Sequence, residues 1–132
     1  MLDTSTIILM PRLRDRSVLP PEMMVSCVTL AELSVGPLVA RSKQEQAARQ
    51  AVLQSAEATF EPIPFDRAAA LAFGQVAASL RRAGRTTAAR AFDALIAATA
   101  MANDLPVYTC NPSDFAGIEG LSVVAIPHPD AP

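Results

Sequence analysis

An α/β fold with a parallel sheet covered on both faces is predicted for this chain, on three observations. Five apolar stretches of strand length occur, at residues 1–3, 24–28, 59–63, 106–109 and 121–126. Helical periodicity fills most of the intervals between them. Strands that alternate with helices need crossover connections, which generate a parallel sheet with helices on its two faces. The 132 residues match one ordinary domain that buries a sizeable share of its surface. That domain is expected to span residues 1–126, with a flexible C-terminal tail at 127–132.

Asp3 ends the first stretch, and residues 4–10 read as a short helix cut off by Pro11. Residues 12–22 form a loop of prolines and charge. Thr29 opens a helical pattern, LAEL, that fades at Gly36 and Pro37. Over residues 39–58, Ala47, Ala51 and Ala58, with Val52 and Leu53, recur at helical spacing among Arg, Lys, Gln and Glu, which describes an amphipathic surface helix. Asp66 caps a helix that runs to about residue 83, with Ala69, Leu71, Phe73, Val76, Ala77 and Leu80 on its apolar face. Gly84 suits the left-handed turn that ends it. Residues 90–100, RAFDALIAATA, open with two charges and then carry none, so they form a helix built to be buried with Asp93 at its mouth. NPSD at 111–114 is a turn. The only histidine, His128, lies in the tail and reads as a solvated end.

No apolar run approaches the roughly 20 residues of a spanning helix, and no basic stretch followed by an apolar one marks a secretion signal, so a cytoplasmic location is expected. Cys27 and Cys110 lie far apart without CxxC spacing, and reduced thiols are expected rather than a disulfide or a zinc site. The net charge of −2 lacks the basic excess of a typical nucleic-acid binder. Yet ten of the eleven basic residues are arginine, grouped at Arg12, Arg14 and Arg16 and again at Arg81, Arg82, Arg85 and Arg90. A guanidinium fork matches phosphate geometry, which makes Arg12, Arg14, Arg85 and Arg90 candidate phosphate contacts. Solvated loops and helix ends account for the same arginines equally well.

Four carboxylates each have an ordinary local explanation. Asp3, followed by Thr4, Ser5 and Thr6, caps a helix. Thr29 and Glu32 make T-x-x-E, a capping box. Asp93 suits a first turn and Asp114 a turn. Together they say more. The carboxyl ends of parallel strands share one rim, outside which ligands bind. Asp3 ends one strand, Glu32 follows another by a helical turn, Asp114 follows a third, and the helix opened by Asp93 must start at the same rim. Like charges at close range raise one another's pKa, and a divalent cation resolves the conflict. Oxygen donors without histidine or thiolate favour Mg²⁺ or Mn²⁺, which can orient and acidify a water beside a phosphate. That is the chemistry of a metal-dependent nuclease.

LDTS at 2–5, VTLAEL at 28–33, FDALIAATA at 92–100, TCNPSDF at 109–115 and the GLSVV run at 120–124 stand in an order and spacing that resembles the PIN-domain ribonucleases, and within them the VapC toxins of bacterial toxin–antitoxin pairs. The resemblance covers nearly the whole chain. It implies a three-layer α/β/α fold with a mostly parallel sheet of about five strands, and Mg²⁺- or Mn²⁺-dependent cleavage of RNA. By motif position the catalytic acids fall on Asp3, Glu32, Asp93 and Asp114, with Asp3, Asp93 and Asp114 as metal ligands. Ser5, Thr109 and Asn111 fall behind them as orienting groups, Asn111 setting Asp114 and Thr109. The resemblance further implies a homodimer, or a hetero-oligomer with a VapB-like antitoxin whose tail enters the acidic site. Helices within residues 30–58 would form much of the antitoxin groove. One departure stands out: only Met1 and Leu2 precede Asp3, so either the first strand is unusually short or the natural start lies upstream.

Rival enzymes of the same layered type fit poorly. A haloacid-dehalogenase-like enzyme needs a second aspartate where Ser5 stands, a receiver domain needs a late lysine where the only lysine is Lys43, and no Gly-rich loop ends in Lys and Ser or Thr. The rival of another class is a PIN-fold module with little turnover that binds RNA or a partner protein.

Overall fold

Short polar side chains start four of the five α-helices in the computed structural model, which describes residues 1–132. The first helix, α1, covers Thr4–Leu9 and is capped by Asp3, whose side chain accepts from the Thr6 N–H. Pro11 then turns the chain into a 3₁₀ segment. Helix α2 covers Cys27–Val35 and is capped by Ser26, whose Oγ accepts from the Thr29 N–H. The expected capping box at Thr29 and Glu32 is therefore not formed. Ser26 stands three residues earlier and takes the cap, so Thr29 is buried inside the helix and Glu32 is free to face another element.

Helix α3 covers Lys43–Thr59 behind a Ser42 cap, rather than starting near residue 39, because Gly36–Val39 forms a 3₁₀ turn around Pro37. Its packed face is Val52, Leu53 and Ala56, while Ala47, Ala51 and Ala58 are exposed. Helix α4, Arg67–Arg82, starts at Asp66 as expected and ends before Gly84, which adopts φ +74°. Ala69, Val76, Ser79 and Leu80 are its buried residues, whereas Leu71 is 72% exposed, off the face set by the others. Helix α5 covers Ala91–Ala102 and is buried along most of its length, packing most extensively on α4.

Strand β1, Val107–Thr109, pairs in parallel with β2, Val123–Ala125. The expected sheet of about five strands is reduced to this two-stranded ladder. The other three stretches join it through isolated contacts: Leu2 bridges Tyr108, the Leu2 N–H donates to the Met24 carbonyl at 2.8 Å, and Ser26 bridges Ile63, all bridges being parallel. Each stretch is cut short by its own sequence. Asp3 and Ser26 end theirs by capping helices, and Ile63 sits between Pro62 and Pro64, which have no N–H to extend a ladder.

Alternation along these stretches sends neighbours into different cores. Met1 and Val107 pack with Val76, Leu80, Ile96 and Phe115, whereas Leu2 and Tyr108 pack with Ile7, Val25, Leu33 and Ala56. Successive side chains of an extended backbone point to opposite faces, so the sheet has α4 and α5 on one side and α1, α2 and α3 on the other. That is a three-layer arrangement.

Candidate active site

The carboxyl ends of the central stretches and the starts of α1 and α5 meet at one rim, and the acids stand there. Asp3 is only 2% exposed. Its Oδ1 accepts from the Thr6 N–H at 3.0 Å, and its Oδ2 accepts from Thr109 Oγ at 2.7 Å and Ser5 Oγ at 3.0 Å. Burial of a carboxylate needs such donors, and three neutral ones hold Asp3 in a single orientation. Thr109 Oγ in turn accepts from the Asn111 N–H at 2.9 Å. The Asp114 N–H donates to the Asn111 carbonyl at 3.0 Å. Asn111 thus does connect Thr109 with Asp114, but through its main chain.

Glu32 lies on the second turn of α2 and accepts from Thr4 Oγ at 2.6 Å, with Thr29 Oγ 3.0 Å from the same hydroxyl. Burial raises its pKa above the ordinary glutamate value, the Thr4 hydrogen bond opposes the rise, and the Asp3 charge adds to it. Asp93 stands in the first turn of α5. Its pKa is pushed up from 3.8 to about 6, first by burial and then by the charges of Asp114, Glu32 and Asp3, with Arg90 pulling the other way. The charges of the other three acids therefore all reach Asp93. Asp114, in the 3₁₀ turn Pro112–Phe115, accepts from Arg90 Nη1 at 2.8 Å.

The profile of the PIN domain matches residues 1–120 of the chain. The chain belongs to the PIN-domain family, in its VapC branch. Ribonuclease VapC5 of Mycobacterium tuberculosis is 38% identical over 128 residues, spanning 96% of this chain and 92% of that protein. The tRNA(fMet)-specific endonuclease VapC of Shigella flexneri is 34% identical over 100 residues, 76% of this chain and 72% of that protein. The crystal structure of the toxin–antitoxin pair VapBC-5 from Mycobacterium tuberculosis aligns with a TM-score of 0.82 and 35% identity, covering 95% of this chain and 96% of that one.

As a PIN domain, the chain offers a cation oxygen donors only: the sole histidine is in the tail, paired with Asp130, and Cys110 is buried. No three acidic, histidine or cysteine side chains converge closely enough to chelate one ion by themselves. Mg²⁺ keeps several waters and takes one or two carboxylates directly, so this spacing fits a hydrated hard cation and would not fit a stripped one. The mutual charge repulsion felt by Asp93 is the second observation in favour of that fit.

The candidate phosphate arginines fall in two places in the PIN domain. Arg12 is paired with Asp130 of the C-terminal segment, and Arg14 is exposed beside the same segment. Arg85 and Arg90 contact the turn that carries Asp114. The linking roles of Thr4 and Thr6 were not visible in the sequence. Thr6 Oγ accepts from the Cys110 N–H at 3.2 Å, tying α1 to the end of β1. The D-T-S-T run signals a cap and holds no hint that its hydroxyls reach residues 25 to more than 100 positions away.

Proposed function

We propose that this chain is the toxin component of a toxin–antitoxin pair, an endoribonuclease that hydrolyses RNA phosphodiester bonds with the aid of Mg²⁺ or Mn²⁺. The observation that supports it most is the meeting of Asp3, Glu32, Asp93 and Asp114 at one rim, in a chain of the VapC branch. Asp3, Asp93 and Asp114 would hold the cation, one or two of them directly and the rest through its waters. When bound, it supplies positive charge to a phosphate and acidity to a water. Asp3 is presented rigidly by Thr109, Ser5 and the Thr6 N–H, which keeps its geometry without induced movement. Asp93 is mounted on a buried helix and makes no ion pair, so its carboxylate is available. Glu32, with its pKa raised by burial, holds a proton more readily than a surface glutamate, which suits proton exchange with an attacking water.

Single-stranded or looped RNA is the substrate class that suits an open rim, where splayed bases leave a phosphate within reach. The partner would be a VapB-like antitoxin. A groove of about 410 Å³ between α1 and α3, lined by Ile7, Met10, Met23, Val52, Ala56 and Phe60, suits the apolar face of a partner helix. The decisive test is cleavage of a mixed RNA pool with Mg²⁺ or Mn²⁺, beside EDTA and a folded Asp93→Asn variant. Cleavage that needs both the metal and Asp93 is expected. Equal behaviour of wild type and variant would move the reading to a binding module.

A further inference from the structure

Two arginines from the segment joining α4 to α5 grip the turn that carries Asp114. Arg85 Nη1 donates to the carbonyls of Ser113 at 3.1 Å and Ala116 at 2.9 Å, so it holds the backbone of the turn. Arg90 Nη1 donates to Asp114 Oδ1 at 2.8 Å and so holds the carboxylate itself. The close approach is built in. Gly117 adopts φ +87°, and a Cβ there would lie 2.9 Å from the Ala83 Cβ and 3.5 Å from the Arg85 Cδ.

The two grips differ in kind. A cation has no claim on the carbonyls that Arg85 holds, but Asp114 is a carboxylate at the acidic rim. The Arg90–Asp114 pair uses one nitrogen and one oxygen and is 30% and 38% exposed on its two side chains, so it is neither the bidentate nor the deeply buried kind of ion pair. A pair of that sort is modest in strength and exchanges readily for another positive charge. Arg90 also immediately precedes α5, three residues before Asp93, so the same element presents both the acid and its internal positive charge.

We infer that Arg90 is the site's own counter-ion, competing with the divalent cation for the Asp114 carboxylate and thereby setting the cation affinity of the rim. The inference rests on the metal-dependent reading above. Arg90 is then a positioning residue: it keeps Asp114 satisfied before loading, and loading releases its guanidinium at the edge of the site.

The test is isothermal titration calorimetry of Mn²⁺ into the full chain, with no RNA present. Wild type, Arg90→Gln, Asp114→Asn and the double variant form a cycle, each checked by circular dichroism. Loss of the competitor is expected to tighten Mn²⁺ binding by about three- to ten-fold in Arg90→Gln, the worth of a partly exposed ion pair. The same substitution in the Asp114→Asn background is expected to tighten binding by less than about two-fold, the residue left by Arg90's longer-range action on Asp93. Arg90→Lys, which keeps the charge and loses the planar fork, is expected to tighten binding less than Arg90→Gln, and it serves if the glutamine variant does not fold. Unchanged or weaker binding in both variants overturns the inference, as does equal tightening with and without Asp114, which would reduce Arg90 to a distant charge. Those results leave the metal-dependent reading standing, whereas a wild type that takes up no Mn²⁺ removes both.

Discussion

Replacing Asp93 with asparagine is expected to make the protein more stable while making it inert. Asp93 has its pKa raised from 3.8 to about 6, by burial and by three neighbouring carboxylates. A carboxyl whose pKa is raised by folding binds more protons in the native state than in the unfolded one between those two values. Its charged form is therefore a burden that is absent below about pH 4, grows as pH rises, and is fully felt above about pH 6. A shift of about two units corresponds to about 3 kcal/mol. Asp93 is only half-buried, and solvent screening together with the favourable helix N-terminus reduces the gain from neutralising it to about 1–2 kcal/mol. For a chain of this length that is an increase of about 3–8 °C in Tm at pH 7.5. Thermal unfolding of wild type and Asp93→Asn in EDTA at pH 7.5 and pH 4.5 measures it. The advantage of the variant should shrink to about a third at the lower pH, where most of the wild-type penalty is already relieved by protonation. Millimolar Mg²⁺ should narrow the gap at pH 7.5 by stabilising only the wild type. An asparagine variant no more stable than wild type at pH 7.5, or an advantage that does not vary with pH, refutes the reasoning.

Thr109→Val leaves a 2%-exposed carboxylate short of its nearest donor and the Asn111 N–H short of its acceptor, and urea unfolding should show a loss of about 1–3 kcal/mol. Ser26→Ala removes the cap of α2 and should lower stability by about 1 kcal/mol, whereas Thr29→Ser, which keeps a hydroxyl beside Thr4, should be far milder. Gly117→Ala places a methyl 2.9 Å from Ala83 at a positive φ and is expected to cost about 1–3 kcal/mol, a drop in Tm that Gly74→Ala, with open space around it, should not show. Thr4→Val removes the hydrogen bond that opposes the rise in the Glu32 pKa, so the carboxyl should titrate higher still when followed by NMR.

Four of the five α-helices begin at a residue whose short side chain accepts from backbone N–H groups, Asp3, Ser26, Ser42 and Asp66, which makes their starts legible. Asp66 and Gly84 bound α4 as expected, and DALIAATA is a buried helix because it carries no charge beyond its first turn. The capping box at Thr29 misled because a local pattern of four residues cannot reveal a better cap three residues upstream. The strands were legible as apolar stretches but not as a ladder. Whether a stretch pairs over three residues or one depends on where the next helix cap falls and on prolines at its flanks, and Asp3, Ser26, Pro62 and Pro64 each shorten theirs. On α4, Leu71 fits an apolar count and yet faces solvent, since periodicity locates a face only to within a residue or so of arc.

The site divides in the same way. Asp3, Glu32, Asp93 and Asp114 could be nominated from one chain because strand ends and helix starts share a rim in any parallel α/β fold, and charge placed there against an apolar background is conspicuous. Sequence by itself thus determined the fold class and the family and nominated the four acids, all of which depend on local pattern and order along the chain. Only the tertiary structure decided which hydroxyl faces which acid, that Asn111 works through its backbone, and that Arg85 and Arg90 are spent on the Asp114 turn. The long-range ones among those contacts join residues 24 to 106 positions apart within hydrogen-bond range, and a tolerance of tenths of an ångström across such separations is set by how the two cores pack, which no local pattern encodes.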